Sequence, residues 1–312
     1  MRRNYRRLGA GLAVIALLTF AACGDDDDAA GDDGGDGGGA AEQVEPVAVT
    51  TVDYEFQDLP TLHSGVNELT ITNDGSVNHE FAVLQLDEAE TIEDFAAAMP
   101  AVLEGGPFPD TVGTGSGSPE VEPGSDLTFS FTLPEPGRYA AFCLLTGDPG
   151  LGEDEEGTAH ISRGMVAELE VEEGDSDAAI EGTDGTITAV DYDFEPDVSA
   201  GDTDITFVNE GPEQYHFAGI SVLPEGTTPE DAEAAFQTLL ELPEDQPPPE
   251  GTVFPEDVAA SAVNGPGSSS TFEVPGGFES GRTYLAFCFI SDRAGGPPHA
   301  IGNQMFHAFT VE

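Results

Sequence analysis

Apolar and polar residues alternate with period two in several short runs of this chain. Examples are "LTITN" (residues 69–73), "LTFSFTL" (127–133), "AELEVEE" (167–173) and "DITFVN" (204–209). Alternation of this kind predicts strands with one buried face, and clusters of Gly, Pro and Asp between the runs predict the turns. Two segments follow a helical period instead, "TIEDFAAAMPAVL" (91–103) and "TPEDAEAAFQTLLEL" (228–242). Each opens on a threonine suited to cap a helix, with acids in the first turn. In the first, Ile92, Phe95, Ala96 and Met99 fall on one face, which should lie against a sheet.

The pattern occurs twice. "VTTVDYEF" (Val49 to Phe56) matches "ITAVDYDF" (Ile187 to Phe194), and "LTITNDGSVNHEFAVLQL" (Leu69 to Leu86) matches "ITFVNEGPEQYHFAGISVL" (Ile205 to Leu223). The two helical segments also correspond. A repeat this long is a duplicated domain and not a solenoid unit. The expected architecture is all-β: two tandem sandwiches, each with one short inserted helix. Their expected bounds are 44–173 and 185–312, with a short acidic linker at 174–184.

The N-terminus has a different character. Arg2, Arg3, Arg6 and Arg7 precede an apolar run from Leu8 to Ala22, too short to span a bilayer stably, which ends in "FAAC". Residues 1–23 therefore read as an export signal resembling a bacterial lipobox, with Cys23 the lipidated residue. The product would be extracytoplasmic, held to the outer face of the membrane by that lipid. Residues 24–43, rich in Asp and Gly, have almost nothing apolar to bury and are expected to be a disordered tether.

Charge narrows the partners. The chain has 61 acidic and 8 basic residues, a formal net charge of −53. The signal arginines account for four of those basic residues. Such a surface repels nucleic acid and anionic lipid, which makes both poor candidates as partners. Because the acids are spread along the whole chain, a halophilic source is expected, where concentrated salt screens self-repulsion.

Three cysteines remain to be placed. If Cys23 carries lipid, Cys143 and Cys288 stay, one per repeat, which argues against a disulfide framework. A single disulfide between the two repeats is the alternative. Each cysteine ends an apolar run, "GRYAAFC" or "RTYLAFC", and sits in an ordered set. The first repeat has His79, Cys143, His160 and Met165. The second has His216, Cys288, His299 and Met305. Two imidazoles, a thiolate and a thioether are the donors of blue-copper electron-transfer sites, where a trigonal plane suits both oxidation states and a distant axial sulfur tunes the potential. The plainer alternative is a small buried cysteine near ordinary histidines.

On this donor order and strand context, both repeats resemble cupredoxin domains of the plastocyanin, azurin and copper nitrite reductase superfamily. The resemblance implies Greek-key sandwiches. It also implies up to two copper ions, with His79, Cys143 and His160 equatorial and Met165 axial in the first repeat. In the second, His216, Cys288 and His299 would be equatorial and Met305 axial. The departure is loop length: residues 144–159 separate Cys from His in the first repeat and 289–298 in the second, longer than the family usually has. Phe81, Phe142, Phe217 and Phe287, beside the ligands, are expected to keep water away.

An enzyme is not expected. The chain has six histidines, no His-x-His pair for a trinuclear copper cluster, and no Gly-x-Ser-x-Gly or His-Glu-x-x-His motif. The expectation is a membrane-anchored copper protein passing single electrons to an unknown redox partner protein. A metal-free scaffold module and a copper chaperone or storage protein are the alternatives.

Overall fold

The structure is a computed structural model that describes residues 46–146, 158–243 and 246–312. The export signal, Cys23 and the acidic tether lie outside the described residues. No helix among the described residues is long and apolar enough to cross a membrane.

The first repeat runs β1 (Val47–Val52), β2 (Glu55–Gln57), β3 (Leu62–His63), β4 (Gly65–Asn73), β5 (Ala82–Leu86), α1 (Ile92–Leu103), β6 (Val112–Gly117), β7 (Asp126–Leu133), β8 (Gly137–Phe142) and β9 (Val166–Glu172). The second runs β10 (Gly185–Val190), β11 (Asp193–Asp197), β12 (Asp204–Asn209), β13 (Gly219–Val222), α2 (Pro229–Glu241), β14 (Glu256–Ala260), β15 (Ser269–Glu273), β16 (Thr283–Phe287), α3 (His299–Gly302) and β17 (Phe306–Thr310). Apart from β3 and α3 the order is the same twice, as the internal repeat predicts.

Alternation becomes burial. In β4, Leu69 and Ile71 point inward with the residues between them half-buried, as period two requires. Each such side chain taken fully out of water stabilises by about 1.5–3 kcal/mol. β1 pairs parallel with β4 and antiparallel with β2, and β10 repeats this with β12 and β11. Strands β5 and β8 lie together in a second sheet, β3-β9-β8-β5-β6, whose counterpart is β14-β13-β16-β17.

Each half is therefore a sandwich. Leu69, Ile71, Phe129 and Phe131 from one sheet meet Val83, Tyr139, Ala141 and Leu169 from the other. In the second half Ile205, Phe207 and Phe272 meet Ile220, Tyr284 and Ala286. The helices cover the outer faces of the second sheets. Thr91 and Thr228 cap them, their hydroxyls accepting from the amides of Asp94 and Asp231 at 3.1 and 3.2 Å. Phe95 and Met99 of α1 pack on Leu84, Leu86 and Phe142, while Ala232 and Phe236 of α2 pack on Leu285 and Phe287.

The two sandwiches share one sheet. Its order is β11-β10-β12-β15-β7-β4-β1-β2, so β15 of the second half pairs with β7 of the first. Hydroxyls reinforce that seam: Ser269 N–H donates to Thr132 Oγ1 at 2.8 Å, and Ser130 N–H to Thr271 Oγ1 at 2.9 Å. Deeper in, Ser116 Oγ donates to Oδ1 of the fully buried Asn264 at 2.6 Å.

Candidate metal centres

The alternation that buries Tyr139 and Ala141 sends Cys143, one step past β8, into the same core. Cys288 stands in the same relation to Tyr284 and Ala286 after β16. Both thiols are free and fully buried, so the disulfide alternative does not describe this structure.

The first histidine of each set comes from the turn after β4 or β12. A buried asparagine shapes that turn. Asn73 accepts from Gly75 N–H at 2.9 Å and donates to the carbonyls of Val77 and Val121 at 2.8 Å each. Asn209 makes the equivalent bonds with Gly211, Gln214 and Asn264. Reciprocal backbone bonds then hold His79 to Val121 and His216 to Asn264.

The second histidine opens a short helical turn, a 3-10 turn at His160–Arg163 or α3 at His299. The same three backbone bonds frame it in both halves. The amide of Cys143 donates to the Met165 carbonyl, that of Ile161 to the Cys143 carbonyl, and that of Met165 to the His160 carbonyl, at 3.3, 2.8 and 3.1 Å. For Cys288, Met305, Ala300 and His299 the distances are 3.2, 2.8 and 3.1 Å. A loop of different length thus ends in the same frame.

These frames aim the donor atoms at one another. In the first half Nδ1 of His79 lies 3.2 Å from Nδ1 of His160, which lies 3.4 Å from Sγ of Cys143. In the second, Sγ of Cys288 is 3.9 Å from Nδ1 of His216 and 3.6 Å from Nδ1 of His299. Within each trio the donor atoms all lie within 4.8 Å of one another, and every member is buried. An ion in a trigonal plane, about 2 Å from each nitrogen and about 2.3 Å from the sulfur, would set the nitrogens about 3.5 Å apart and each about 3.7 Å from the sulfur. The two distances given for each trio match that spacing within a few tenths of an ångström, and the third lies within 4.8 Å, so the residues present fit a metal ion. Met165 and Met305 are fully buried in the same cores as their cysteines.

Burial also sets the charge of these groups without a metal. It pushes the Cys143 thiol well above its ordinary value, with the Glu80 carboxylate adding to the effect, and pushes Cys288 up to about 12. His216 falls to about 3, chiefly through burial and then the neighbouring His299. His299 is lowered by burial too, opposed by Asp292. The metal-free second trio is thus a thiol and two neutral imidazoles, and taking up a cation expels the thiol proton.

Aromatic walls close the sites. The Tyr54 ring meets those of His79 and His160 edge-on at 6.4 and 5.1 Å, and Tyr192 meets His216 and His299 at 6.2 and 5.1 Å. Both tyrosines belong to the matched "VDY" strings, whose repetition was the available signal for them. The phenylalanine expectation needs correction. Phe81 shares the core of Cys143 and Phe217 packs against that of Cys288, but Phe142 and Phe287 lie under the helices. As immediate neighbours of the cysteines in an alternating strand, they face the other way.

No family model matches the chain, and no curated protein matches it. Among solved structures it is similar to auracyanin A, a "blue" copper protein from Chloroflexus aurantiacus, at 20% identity over 41% of this chain and 98% of that one, with a TM-score of 0.28. It is similar to copper nitrite reductase from Nitrosomonas europaea at 15% identity, covering 86% of this chain and 94% of that one, TM-score 0.22. It is similar to blue copper oxidase from the same organism at 13% identity, covering 86% and 85%, TM-score 0.23. In class the chain is an all-β protein of two sandwiches joined through one sheet, and each half gathers one buried Cys-His-His trio. What those trios hold is a matter for their own geometry and donor chemistry.

Proposed function

We propose that each half binds one copper ion and that the protein carries single electrons outside the cell, tethered to the membrane by a lipid on Cys23. His79, Cys143, His160 and Met165 would hold the first ion, and His216, Cys288, His299 and Met305 the second. The observation that carries this reading is the convergence, twice in one chain, of two imidazole nitrogens and one thiol sulfur within 4.8 Å of one another, all on buried residues. Two imidazoles and one thiolate are the donor set of copper electron-transfer sites, as distinct from the closed four-ligand sets of structural zinc.

Bound copper supplies the one-electron couple. The chain supplies the rest. Backbone bonds fix the ring planes and the cysteine, so little has to move when the charge at the centre changes. Buried aromatic and aliphatic side chains exclude water, which removes solvent reorganisation around the site.

Loading purified protein with Cu(II) should give about two coppers per chain and an intense visible thiolate-to-copper absorption. Cys143→Ser and Cys288→Ser should each remove one copper and part of that band. Wild-type protein that takes up no copper would establish the metal-free scaffold instead. Uptake of Cu(I) alone, without the band, would establish the chaperone or storage role.

A further inference from the structure

The loop joining Cys288 to His299 carries two residues, Asp292 and Arg293, that face in different directions. One oxygen of Asp292, Oδ1, accepts the Tyr192 hydroxyl at 2.7 Å and lies 3.2 Å from Nε2 of His299. An ionised carboxylate only accepts, so Nε2 must carry the imidazole hydrogen. A neutral imidazole has one such hydrogen, which leaves Nδ1 bare on the side that faces Cys288. His299 is fully buried with the Tyr192 ring against it, so flipping the ring would cost both the bond and the packing.

Arg293 points to the first half of the molecule. Its guanidinium donates to the carbonyls of Val112 and Gly113 and lies 5.0 Å from the centre of the Tyr215 ring. Its carbonyl accepts from Phe108 N–H at 2.9 Å, and its own amide donates to Gln214 Oε1 at 2.8 Å. Further along the loop, Gly296 N–H donates to the Gly105 carbonyl at 3.0 Å. Gly295 is there because only glycine suits the place. Its φ is +80°, and a Cβ would come within 2.9 Å of the Gly105 oxygen. The loop therefore rests on the segment that follows α1 of the other half.

We infer that Asp292 and Arg293 are positioning residues for the second centre. Asp292 fixes the tautomer and orientation of His299, and Arg293 docks the loop that carries both onto the first half. The second centre is thus completed by a half of the chain that supplies none of its ligands. This rests on the reading of His299 as a copper ligand, although the tautomer claim holds for the metal-free protein too.

The test uses the full chain in a Cys143→Ser background, so that only the second centre contributes thiolate-to-copper absorption. Asp292→Ala should lower Cu(II) affinity about 10- to 100-fold. In metal-free protein, ¹⁵N chemical shifts of His299 should change from a single Nε2–H form to a mixture. Asp292→Asn keeps an acceptor but removes the negative charge that favours Cu(II), so it should raise the reduction potential. Arg293→Met keeps the stem over Tyr215 and loses the donors; it should weaken copper binding about 10-fold and broaden the absorption band, with Arg293→Lys partly restoring both. Unchanged affinity, potential and His299 tautomer in the folded Asp292 variants would overturn Asp292's role. A fall in melting temperature with no change in copper affinity or band shape would overturn that of Arg293. If the Cys143→Ser parent takes up no copper, the copper reading fails, and the ¹⁵N shifts alone decide whether Asp292 sets the tautomer.

Discussion

Glu80 and Phe217 occupy the same place in the two halves, one residue after the first histidine, and there the centres differ most plainly. The Glu80 carboxylate accepts the Leu144 amide at 2.7 Å. Its burial nevertheless pushes its pKa up to about 7, against that hydrogen bond. The sign follows from linkage. A carboxyl whose folded pKa lies above its unfolded value leaves stability intact below the unfolded value of about 4.5, and stability is lost as pH rises from there through the folded value. Glu80→Gln keeps an oxygen for Leu144 and removes the titration. In metal-free protein at pH 8 it should raise stability by about 1–2 kcal/mol, discounted for the partial exposure of the side chain, and the gain should vanish near pH 4. Denaturant titrations of both proteins at the two pH values measure this, and an equal gain at both would refute the linkage. The two Cys-His-His trios could be picked out from the chain because each residue type recurs in order in both repeats. Asp292 could not. One aspartate among so many acids carries no mark in the sequence, and its role depends on a loop folding back onto His299.

Among the elements, the helices were the most legible, because a threonine followed by two acids and a helical apolar stripe is a strong local signal. Both caps formed as the sequence predicts, each with its hydroxyl accepting the amide three residues on. Thr91→Ala and Thr228→Ala should each cost about 1 kcal/mol, lowering the melting temperature by about 2–4 °C. If either leaves the thermal transition where it was, the cap contributes nothing that water cannot replace. The seam between β7 and β15 was not legible. Its residues, Ser130, Thr132, Ser269 and Thr271, form bonds by hydroxyl as well as backbone, and a run such as "SSSTF" reads equally well as an exposed edge. Edge strands are where a chain can pair with another sheet, and only the fold shows that the other sheet lies in the same chain.

At the scale of the whole molecule, the shared sheet and the acidic surface pull in opposite directions. The described residues of the two halves belong to one compact unit. The first half contributes β7 to the seam and Ser116 to the buried bond with Asn264, so neither half can unfold without exposing polar groups of the other. A single cooperative thermal transition is expected. Against this stands a net charge of −53 with few cations to offset it. Among the described residues, Arg138 pairs with Glu168 at 2.7 Å and Arg282 with Glu279 at 3.2 Å, while Arg293 is committed to carbonyls at the junction. Most carboxylates therefore feel mainly one another. At about 0.1 M salt the screening length is about 10 Å, long enough for repulsion to act across neighbouring strands and between the halves; at about 1 M it is about 3 Å. The single transition should therefore move upward steadily between those concentrations of sodium chloride. At the low end it should split in two if repulsion between the halves exceeds what the seam contributes. Sucrose, which strengthens burial without screening charge, separates the causes. A melting temperature that rises with sucrose but is indifferent to sodium chloride would show that charge repulsion does not limit the stability of this fold, and would remove the reason for expecting a salt-loving source.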